Sequence, residues 1–198
     1  FLKVNMNFII NLLFMLIAGV DEVGRGALAG PVIAAAVILN DDIEGLNDSK
    51  KLTEKKRNTL FKIIKNTALS LAIGIKWNDY IDNVNIKIAS EDAMIDAINN
   101  LSHKPDKVMV DGFSLDISIP NEGIIKGDQK IKSIMAASII AKVTRDEIMR
   151  SFHYIYPMYG FDKNKGYGTK QHYNALKEYS YTSIHRETFK PISSMINK

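Results

Sequence analysis

Acidic residues follow three short apolar segments, at the points where those segments end. Asp21 and Glu22 come after LIAGV, Asp111 follows KVMV, and Asp128 lies just past GIIKG. Side chains at the strand ends of an α/β sheet project into a crevice where ligands collect. If neighbouring strands bring these acids together, their repulsion raises some of their pKa values unless a cation shares them. Ligation by oxygen suits Mg²⁺ or Mn²⁺, so the pattern indicates a divalent metal site.

A glycine-rich turn follows the first acid pair directly. Gly24, Arg25 and Gly26 lie between two apolar segments, and glycine permits positive φ and close approach of a ligand to the backbone. The N–H groups of such a turn can hold a phosphate or a hydroxyl. A tight hairpin turn explains the same residues without a ligand, and Asp111 followed by Gly112 is open to the same interpretation.

The composition excludes several classes of protein. The chain has 198 residues, of which 46% are hydrophobic and 24% charged, which is typical of a globular protein with a core rather than a disordered one. It has no cysteine, which rules out a disulfide scaffold, a thiolate nucleophile and cysteine-ligated zinc or iron–sulfur sites. A formal net charge of +4 permits a polyanionic partner but does not require one.

The hydrophobic pattern predicts an α/β fold. Short apolar runs predict strands at 16–23, 31–39, 69–77, 107–111 and 123–126. Helical spacing predicts a helix that Thr53 caps and that runs to about residue 65, and further helices over 86–101, 131–152 and 169–179. The glycines and lysines of 159–168 predict a loop. This order of elements favours a mixed sheet covered by helices.

The amino-terminal run from Phe8 to Val20 has two interpretations. Its apolar length resembles that of a signal peptide, with Lys3 ahead of it, and it is too short to span a membrane as a helix. Asn11 interrupts the run, and cleavage after Ala18 would remove part of the segment that precedes Asp21. We therefore expect a buried central strand with a short apolar lead-in.

Six sequence blocks together resemble the signature blocks of ribonuclease HII, the type 2 ribonuclease H family. In chain order they are AGVDEVGRGALAGPVIAAAVIL, DSKKLTEKKR, VMVDG, KGDQKIKSIMAASIIAKVTRD, YPMYGFDKNKGYGT and IHRETFKP, which extend over roughly residues 18 to 191. The resemblance implies a ribonuclease H-like fold with a mixed central sheet flanked by helices and a C-terminal helical extension. It suggests a lead-in at 1–17, a catalytic domain at 18–155 and an extension at 156–198 that contributes to substrate binding.

The resemblance also implies an activity. The family cuts the RNA strand of RNA/DNA hybrids and incises 5′ of single ribonucleotides in duplex DNA, leaving 3′-OH and 5′-phosphate ends. Asp21, Glu22, Asp111 and Asp128 match the carboxylates that hold two divalent ions, Mn²⁺ or Mg²⁺, with Asp21 bridging them. No histidine is then needed as a nucleophile, so we expect the histidines to have surface or structural roles.

Substrate-binding residues follow from the same resemblance. Gly24, Arg25 and Gly26 match a turn whose backbone reads the ribose 2′-OH at the RNA-to-DNA junction, and Tyr167 matches a tyrosine that stacks on the next deoxyribose. Four basic residues lie in blocks that face the substrate backbone: Lys50, Lys51, Lys142 and Arg145. Ala27 departs from the family pattern, in which proline is commoner after the turn.

Two alternatives remain at this point. A nucleic-acid-binding module without turnover would have the basic residues, but it would do better without acids facing phosphates. Ribonuclease HIII usually has an extra N-terminal domain and lacks the Gly-Arg-Gly turn, whereas this chain has the turn. We expect a cytoplasmic, monomeric enzyme that does not associate with a membrane. Its expected partners are RNA/DNA hybrids and DNA duplexes that contain ribonucleotides.

Overall fold

The computed structural model describes residues 15–196 and places them in a mixed sheet with covering helices, as predicted. Within these residues the sheet has five strands in the order β3, β2, β1, β4, β5. The strands are β1 (Ile17–Val23), β2 (Val32–Ile38), β3 (Ser70–Lys76), β4 (Lys107–Asp111) and β5 (Asn121–Ile124). Strand β1 pairs antiparallel with β2 and parallel with β4, and β4 pairs parallel with β5.

Helices cover both faces of this sheet. In chain order the helices of the described residues are α1 (Glu54–Thr67), α2 (Asn78–Val84), α3 (Ile86–Asn99), α4 (Lys132–Ile155), α5 (Phe161–Asn164), α6 (Lys170–Tyr179) and α7 (Ile192–Ile196). The predicted caps are confirmed, because the side chain of Thr53 accepts from the N–H of Lys56 and that of Thr169 from the N–H of His172. Among residues 15–196, none of the helices has the length and apolar composition needed to cross a bilayer.

Small residues let the long helix α4 lie directly on the central strand. A side chain at Gly19 would overlap the backbone of Ser133 and Ile134 at the start of α4. Alternation along a strand puts Asp21 on the same face as Gly19, and therefore toward α4. On this face α4 and α1 pack against alternate residues of β2, while α3 packs on the opposite face. The position of Asp21 is thus set by the contact between β1 and α4.

The carboxyl-terminal residues pack on the turn between β1 and β2. One buried cluster joins Leu28 and Ala29 of that turn to Met149 of α4 and Leu176 of α6. Ala29 also forms an isolated β-bridge with His185. The segment after residue 155 therefore supports the glycine-rich turn, and its treatment as a separate extension stays a prediction.

Some predicted boundaries were wrong. The predicted strand at 123–126 occurs at Asn121–Ile124, and Lys126 instead has a positive φ of 57° that opens the 3-10 turn Gly127–Gln129. The predicted loop contains α5, and α2 was not predicted. Both helices are too short to display a helical hydrophobic period. The central strand β1 was predicted correctly, whereas most of the lead-in lies outside the described residues.

Candidate active site

Three of the four predicted carboxylates meet at one edge of the sheet. Asp21 lies within β1, Asp111 ends β4, and Asp128 lies in the 3-10 turn that follows β5. Because β1, β4 and β5 are neighbouring parallel strands, their carboxyl ends point to the same edge. One carboxylate oxygen from each of the three residues lies within 4.8 Å of the other two. The topology therefore forms the acidic cluster that the spacing predicted.

Burial and mutual repulsion raise the free energy of the state in which all the carboxylates of this cluster are ionised. Burial, the charge of Glu22 and the charge of Asp111 raise the pKa of Asp21 well above its ordinary value, against hydrogen bonds from Ser138 and the N–H of Glu22. Burial followed by the charges of Asp111 and Asp48 raises the pKa of Asp128. Carboxylates in this state are stabilised by a shared proton or a shared cation.

Backbone donors hold the cluster in shape. The N–H of Gly127 donates to Oδ1 of Asp111 at 2.7 Å, and the N–H of Asp128 is 3.4 Å from the same oxygen. A Cβ on Gly127 would lie 2.6 Å from Cδ1 of Ile134, so a larger residue would push this turn away from the carboxylate. The close approach of Gly127 therefore fixes Asp128 beside Asp111.

The donor set fits a divalent cation. It consists of carboxylate oxygens, which Mg²⁺ and Mn²⁺ prefer, and burial together with neighbouring carboxylate charge raises the pKa values of Asp21 and Asp128. Glu22 lies outside the group of three but lines the same cleft, and its Oε1 is 3.3 Å from Nη1 of Arg25. Burial raises the pKa of Glu22, although the nearby Arg25 charge opposes that change.

A cleft of about 330 Å³ is lined by Asp21 and Glu22 and by several predicted substrate-binding residues. Its walls are formed by Asp21, Glu22, Val23, Ser49, Lys50, Ser138, Lys142 and Tyr167. The hydroxyls of Ser49 and Ser138 are 2.9 Å apart and were not singled out in the sequence. They link the loop before α1 to α4 and, through Ser138, to Asp21.

Three of the four predicted basic residues border this site. The Lys50 side chain is 80% exposed, and its Nζ lies 3.8 Å from Oδ2 of Asp128. Burial lowers the pKa of Lys50, but the charges of the surrounding aspartates outweigh that effect and raise it overall. Nζ of Lys51 donates to Gln129, and Nζ of Lys142 forms an ion pair with Asp146 at 2.8 Å. Lys50 is therefore more available to a phosphate than Lys142, because its ion pair is longer and its side chain is more exposed.

Arg145 does not face the substrate, and the expectation that it contacts a phosphate was wrong. Its side chain is fully buried, and its guanidinium donates to the carbonyl oxygens of Ala29, Pro31 and Lys165. Arg145 is buried because it lies on the inner side of α4. The prediction failed because helical spacing alone does not distinguish a buried arginine from an exposed one. Arg145 instead joins the glycine-rich turn to the loop that carries Tyr167.

A second buried arginine holds the Gly-Arg-Gly turn, and sequence reasoning missed it. Arg186 is fully buried and donates to the carbonyls of Gly24 at 2.7 Å, Arg25 at 2.8 Å and Gly30 at 3.0 and 3.1 Å. In a trans peptide the C=O and the following N–H point in opposite directions. Because the carbonyls of Gly24 and Arg25 face Arg186, the N–H groups of Arg25 and Gly26 point away from it.

Gly24 must be glycine at this position. Its φ is +98°, and a Cβ there would overlap the Arg145 side chain. Gly26, in contrast, has no atoms within 4 Å of an added Cβ, so the surface of the turn is open at that residue. The turn thus rests on two arginines on its inner side and has an accessible backbone on its outer side.

Comparison with known proteins identifies relatives of this chain. The family model described as Ribonuclease HII matches residues 18–192. The Ribonuclease HII of Bacillus subtilis (strain 168) is 54% identical over 183 residues, which is 91% of this chain and 72% of that protein. The ribonuclease H2 of Pyrococcus horikoshii OT3 is similar in structure, with a TM-score of 0.81, 27% identity and coverage of 92% of this chain and 98% of that one.

The same comparison separates the two enzymatic alternatives. A Bst-RNase HIII solved in complex with Mn²⁺ shares the fold at a TM-score of 0.70, but it is 18% identical, with coverage of 92% of this chain and 70% of that one. The sequence similarity to Ribonuclease HII is far higher and extends over nearly all the described residues. The chain therefore belongs to the ribonuclease HII family, the type 2 ribonucleases H, which are metal-dependent endoribonucleases that act on RNA/DNA hybrids.

Proposed function

We propose that this enzyme, besides cutting the RNA strand of hybrids, incises duplex DNA on the 5′ side of a single embedded ribonucleotide. The products carry 3′-OH and 5′-phosphate ends. The observation that carries the proposal is one cleft lined by Asp21 of the acidic cluster, by Glu22 and Val23, which lead directly into the glycine-rich turn, and by Tyr167. A nuclease that recognises a single ribose must place the groups that bind the 2′-OH next to the groups that catalyse cleavage.

Asp21, Glu22, Asp111 and Asp128 are the proposed ligands of two divalent ions. When bound, such ions supply an activated water for in-line attack on phosphorus and stabilise the charge that develops on the leaving 3′ oxygen. The chain itself holds three of these carboxylates in place through β1, β4 and the turn at Gly127. The raised pKa values of Asp21 and Asp128 mean that cation binding competes with protons, so the affinity for metal should fall at low pH.

The glycine-rich turn and Tyr167 are proposed to recognise the junction. The N–H groups of Arg25 and Gly26 point away from Arg186, on the accessible side of the turn, where they can donate to a ribose 2′-OH. The Tyr167 ring lines the cleft and is backed by the Arg145 guanidinium, whose carbon is 5.4 Å from the ring centroid. A ring in that place can pack on the next deoxyribose, where a 2′-OH would crowd it.

The direct test uses three duplexes of one sequence: one with a single ribonucleotide, one a continuous RNA/DNA hybrid, and one of DNA alone. Each is incubated with the protein with Mg²⁺, with Mn²⁺ or with a chelator, and the cut is mapped at nucleotide resolution. We expect a cut 5′ of the lone ribonucleotide, metal dependence, and no cleavage of the DNA duplex. Cleavage of the hybrid alone would contradict the junction assignment, while cleavage with the chelator present would contradict the metal assignment.

The variant Tyr167→Ala separates recognition from catalysis. Removal of a stacking surface costs about 1–3 kcal/mol by analogy with base stacking, so kcat/KM for the single-ribonucleotide duplex should fall far more than for the hybrid. Tyr154→Ala is a suitable control, because that tyrosine is 87% exposed and does not line the cleft. Equal losses on both substrates would mean that Tyr167 only supports its loop.

A further inference from the structure

We propose that His172 and His185 form a hydrogen-bonded pair that positions Tyr167 for junction recognition. Neither histidine lines the cleft, so both are positioning residues rather than catalytic ones. The inference rests on the proposed role of Tyr167 and adds to it the groups that hold its backbone. It predicts a specific direction for every hydrogen bond in the pair, and this direction can be measured.

The pair connects the carboxyl-terminal segment to the backbone of Tyr167. Nε2 of His172 and Nε2 of His185 are 3.0 Å apart. At one end, Nδ1 of His172 is 3.0 Å from the carbonyl oxygen of Tyr167. At the other end, the N–H of Thr182 donates to Nδ1 of His185 at 3.0 Å. All four ring nitrogens are therefore within hydrogen-bonding distance of a partner, and the chain of bonds ends on the predicted recognition residue.

The chemistry of the two ends fixes where the protons are. A carbonyl oxygen can only accept, so Nδ1 of His172 carries a proton and, in the neutral ring, its Nε2 does not. A backbone N–H can only donate, so Nδ1 of His185 is the acceptor and its Nε2 carries the proton. These two assignments are complementary, because His185 Nε2–H then donates to the bare Nε2 of His172. The bonds run in one direction from Thr182 to Tyr167.

The surroundings favour neutral rings. His172 and His185 are 0% and 1% exposed, and the rings of Tyr159 and Phe161 pack against both. Burial lowers the pKa of His172, and burial together with the neighbouring His172 lowers the pKa of His185 to about 4. A proton added to the bare Nε2 of His172 would place two N–H groups against each other across 3.0 Å. A proton added to Nδ1 of His185 would do the same against the N–H of Thr182. The Thr182 hydroxyl, 2.9 Å from Nδ1 of His185, can donate to that nitrogen alongside the N–H of Thr182. The arrangement thus favours the neutral pair.

The bond to Tyr167 matters because the other backbone bonds of this residue are local. The carbonyl of Tyr167 also accepts from the N–H of Thr169 at 2.8 Å, and its N–H donates to the carbonyl of Asn164 at 2.9 Å. Both of these bonds stay within the loop and its flanking turn. The bond from His172 instead attaches the loop to α6 and, through His185, to the segment that holds the glycine-rich turn. The loop is also tied to the turn by the N–H of Leu28, which donates to the carbonyl of Gly166, and by Arg145, which donates to the carbonyl of Lys165. The His172 bond adds to these links a bond to Tyr167 itself, and we infer that it fixes the orientation of this residue.

A matched pair of variants isolates this bond. In His172→Asn the amide nitrogen falls near the place of Nδ1 and can still donate to Tyr167, whereas in His172→Gln it falls near Nε2 and cannot. We expect His172→Gln to lower kcat/KM for the single-ribonucleotide duplex by about tenfold relative to the hybrid, which corresponds to the loss of one hydrogen bond of about 1.4 kcal/mol. We expect His172→Asn to keep the wild-type ratio. Equal ratios in the two variants would overturn the proposal.

A measurement on the unaltered protein covers the case in which the variants fold poorly. Two-bond ¹H–¹⁵N spectra distinguish the two neutral tautomers of each histidine. At neutral pH we expect the Nδ1–H form for His172 and the Nε2–H form for His185, and any other combination overturns the proposal. The failure of the proposed function itself is distinguishable, since wild-type protein would then fail to incise the single-ribonucleotide duplex whatever the tautomers are.

Discussion

Replacement of Arg186 by lysine tests whether the glycine-rich turn depends on its buried support. Arg186 makes four hydrogen bonds to three carbonyl oxygens, those of Gly24, Arg25 and Gly30. A lysine keeps the positive charge but has all its donors on one atom, so it cannot reproduce the planar fork that reaches all three. The substitution therefore leaves one or two of these three carbonyls without a hydrogen-bond donor.

The expected loss follows from those bonds. Each buried carbonyl left without a donor costs about 1–3 kcal/mol, so the loss of one or two such bonds in Arg186→Lys should lower the free energy of unfolding by about 1–6 kcal/mol. The carbonyls of Gly24 and Arg25 would also become free to rotate, and the N–H groups opposite them would lose their orientation. We therefore expect a selective loss of kcat/KM on the single-ribonucleotide duplex, beyond any loss on the hybrid.

Urea unfolding and kinetics on both substrates measure the two effects separately. Arg150→Lys is the matched control, because Arg150 forms a partly exposed ion pair with Glu54, and such pairs contribute about 0–1 kcal/mol. If Arg186→Lys were as stable as Arg150→Lys, the carbonyl bonds would not stabilise the fold as argued. If stability fell while the ratio between substrates stayed at the wild-type value, the orientation argument would be refuted.

Three further predictions concern charge. Asp21→Asn removes the central charge of the acidic cluster while keeping its shape, and we expect cleavage to be abolished with substrate binding retained, as measured by turnover and by binding in saturating Mg²⁺. Lys50→Ala should reduce the salt slope of hybrid binding by about 0.9 for each phosphate that the lysine no longer neutralises, and Lys142→Ala by less because Asp146 already neutralises that lysine. Because the pKa of His185 falls from 6.5 to about 4 on folding, its contribution to stability is present above pH 6.5 and is lost toward pH 4. Wild type should thus lose up to about 3 kcal/mol more than His185→Gln between pH 7 and pH 4, as measured by urea unfolding.

The elements that carry the acids could be predicted because their signals are local. Strand β2 reads VIAAAVI, is buried along its whole length, and needs no tertiary information to be recognised. Asp21, Asp111 and Asp128 each follow or end such a run, and the parallel order of β1, β4 and β5 then brings them together. Strand pairing itself was inferred from fold class, and the exact place of β5 required the structure.

The support of the site could not be predicted in the same way. Arg145 and Arg186 bind main-chain carbonyls, which every residue has, so no pattern of side chains marks their partners. A basic residue in a nucleic-acid enzyme is more readily assigned to phosphate, and this assignment was wrong for Arg145. His172 and His185 were expected to have surface or structural roles, and both are buried. Their pairing was not predicted, because it depends on backbone groups that come close only in the folded chain.

The choice of arginine behind the turn has an electrostatic consequence. Burial lowers the pKa of Arg186 to about 9, which still leaves it charged at neutral pH. Its donors and those of Arg145 are occupied by carbonyl oxygens, so neither guanidinium is available to pair with the acids of the cleft. Positive charge therefore stands beneath the glycine-rich turn, with both guanidinium groups directed at main-chain carbonyls rather than at the carboxylates. An exposed lysine behaves differently, as Lys50 shows, because its Nζ is free to approach the acids and lies 3.8 Å from Oδ2 of Asp128.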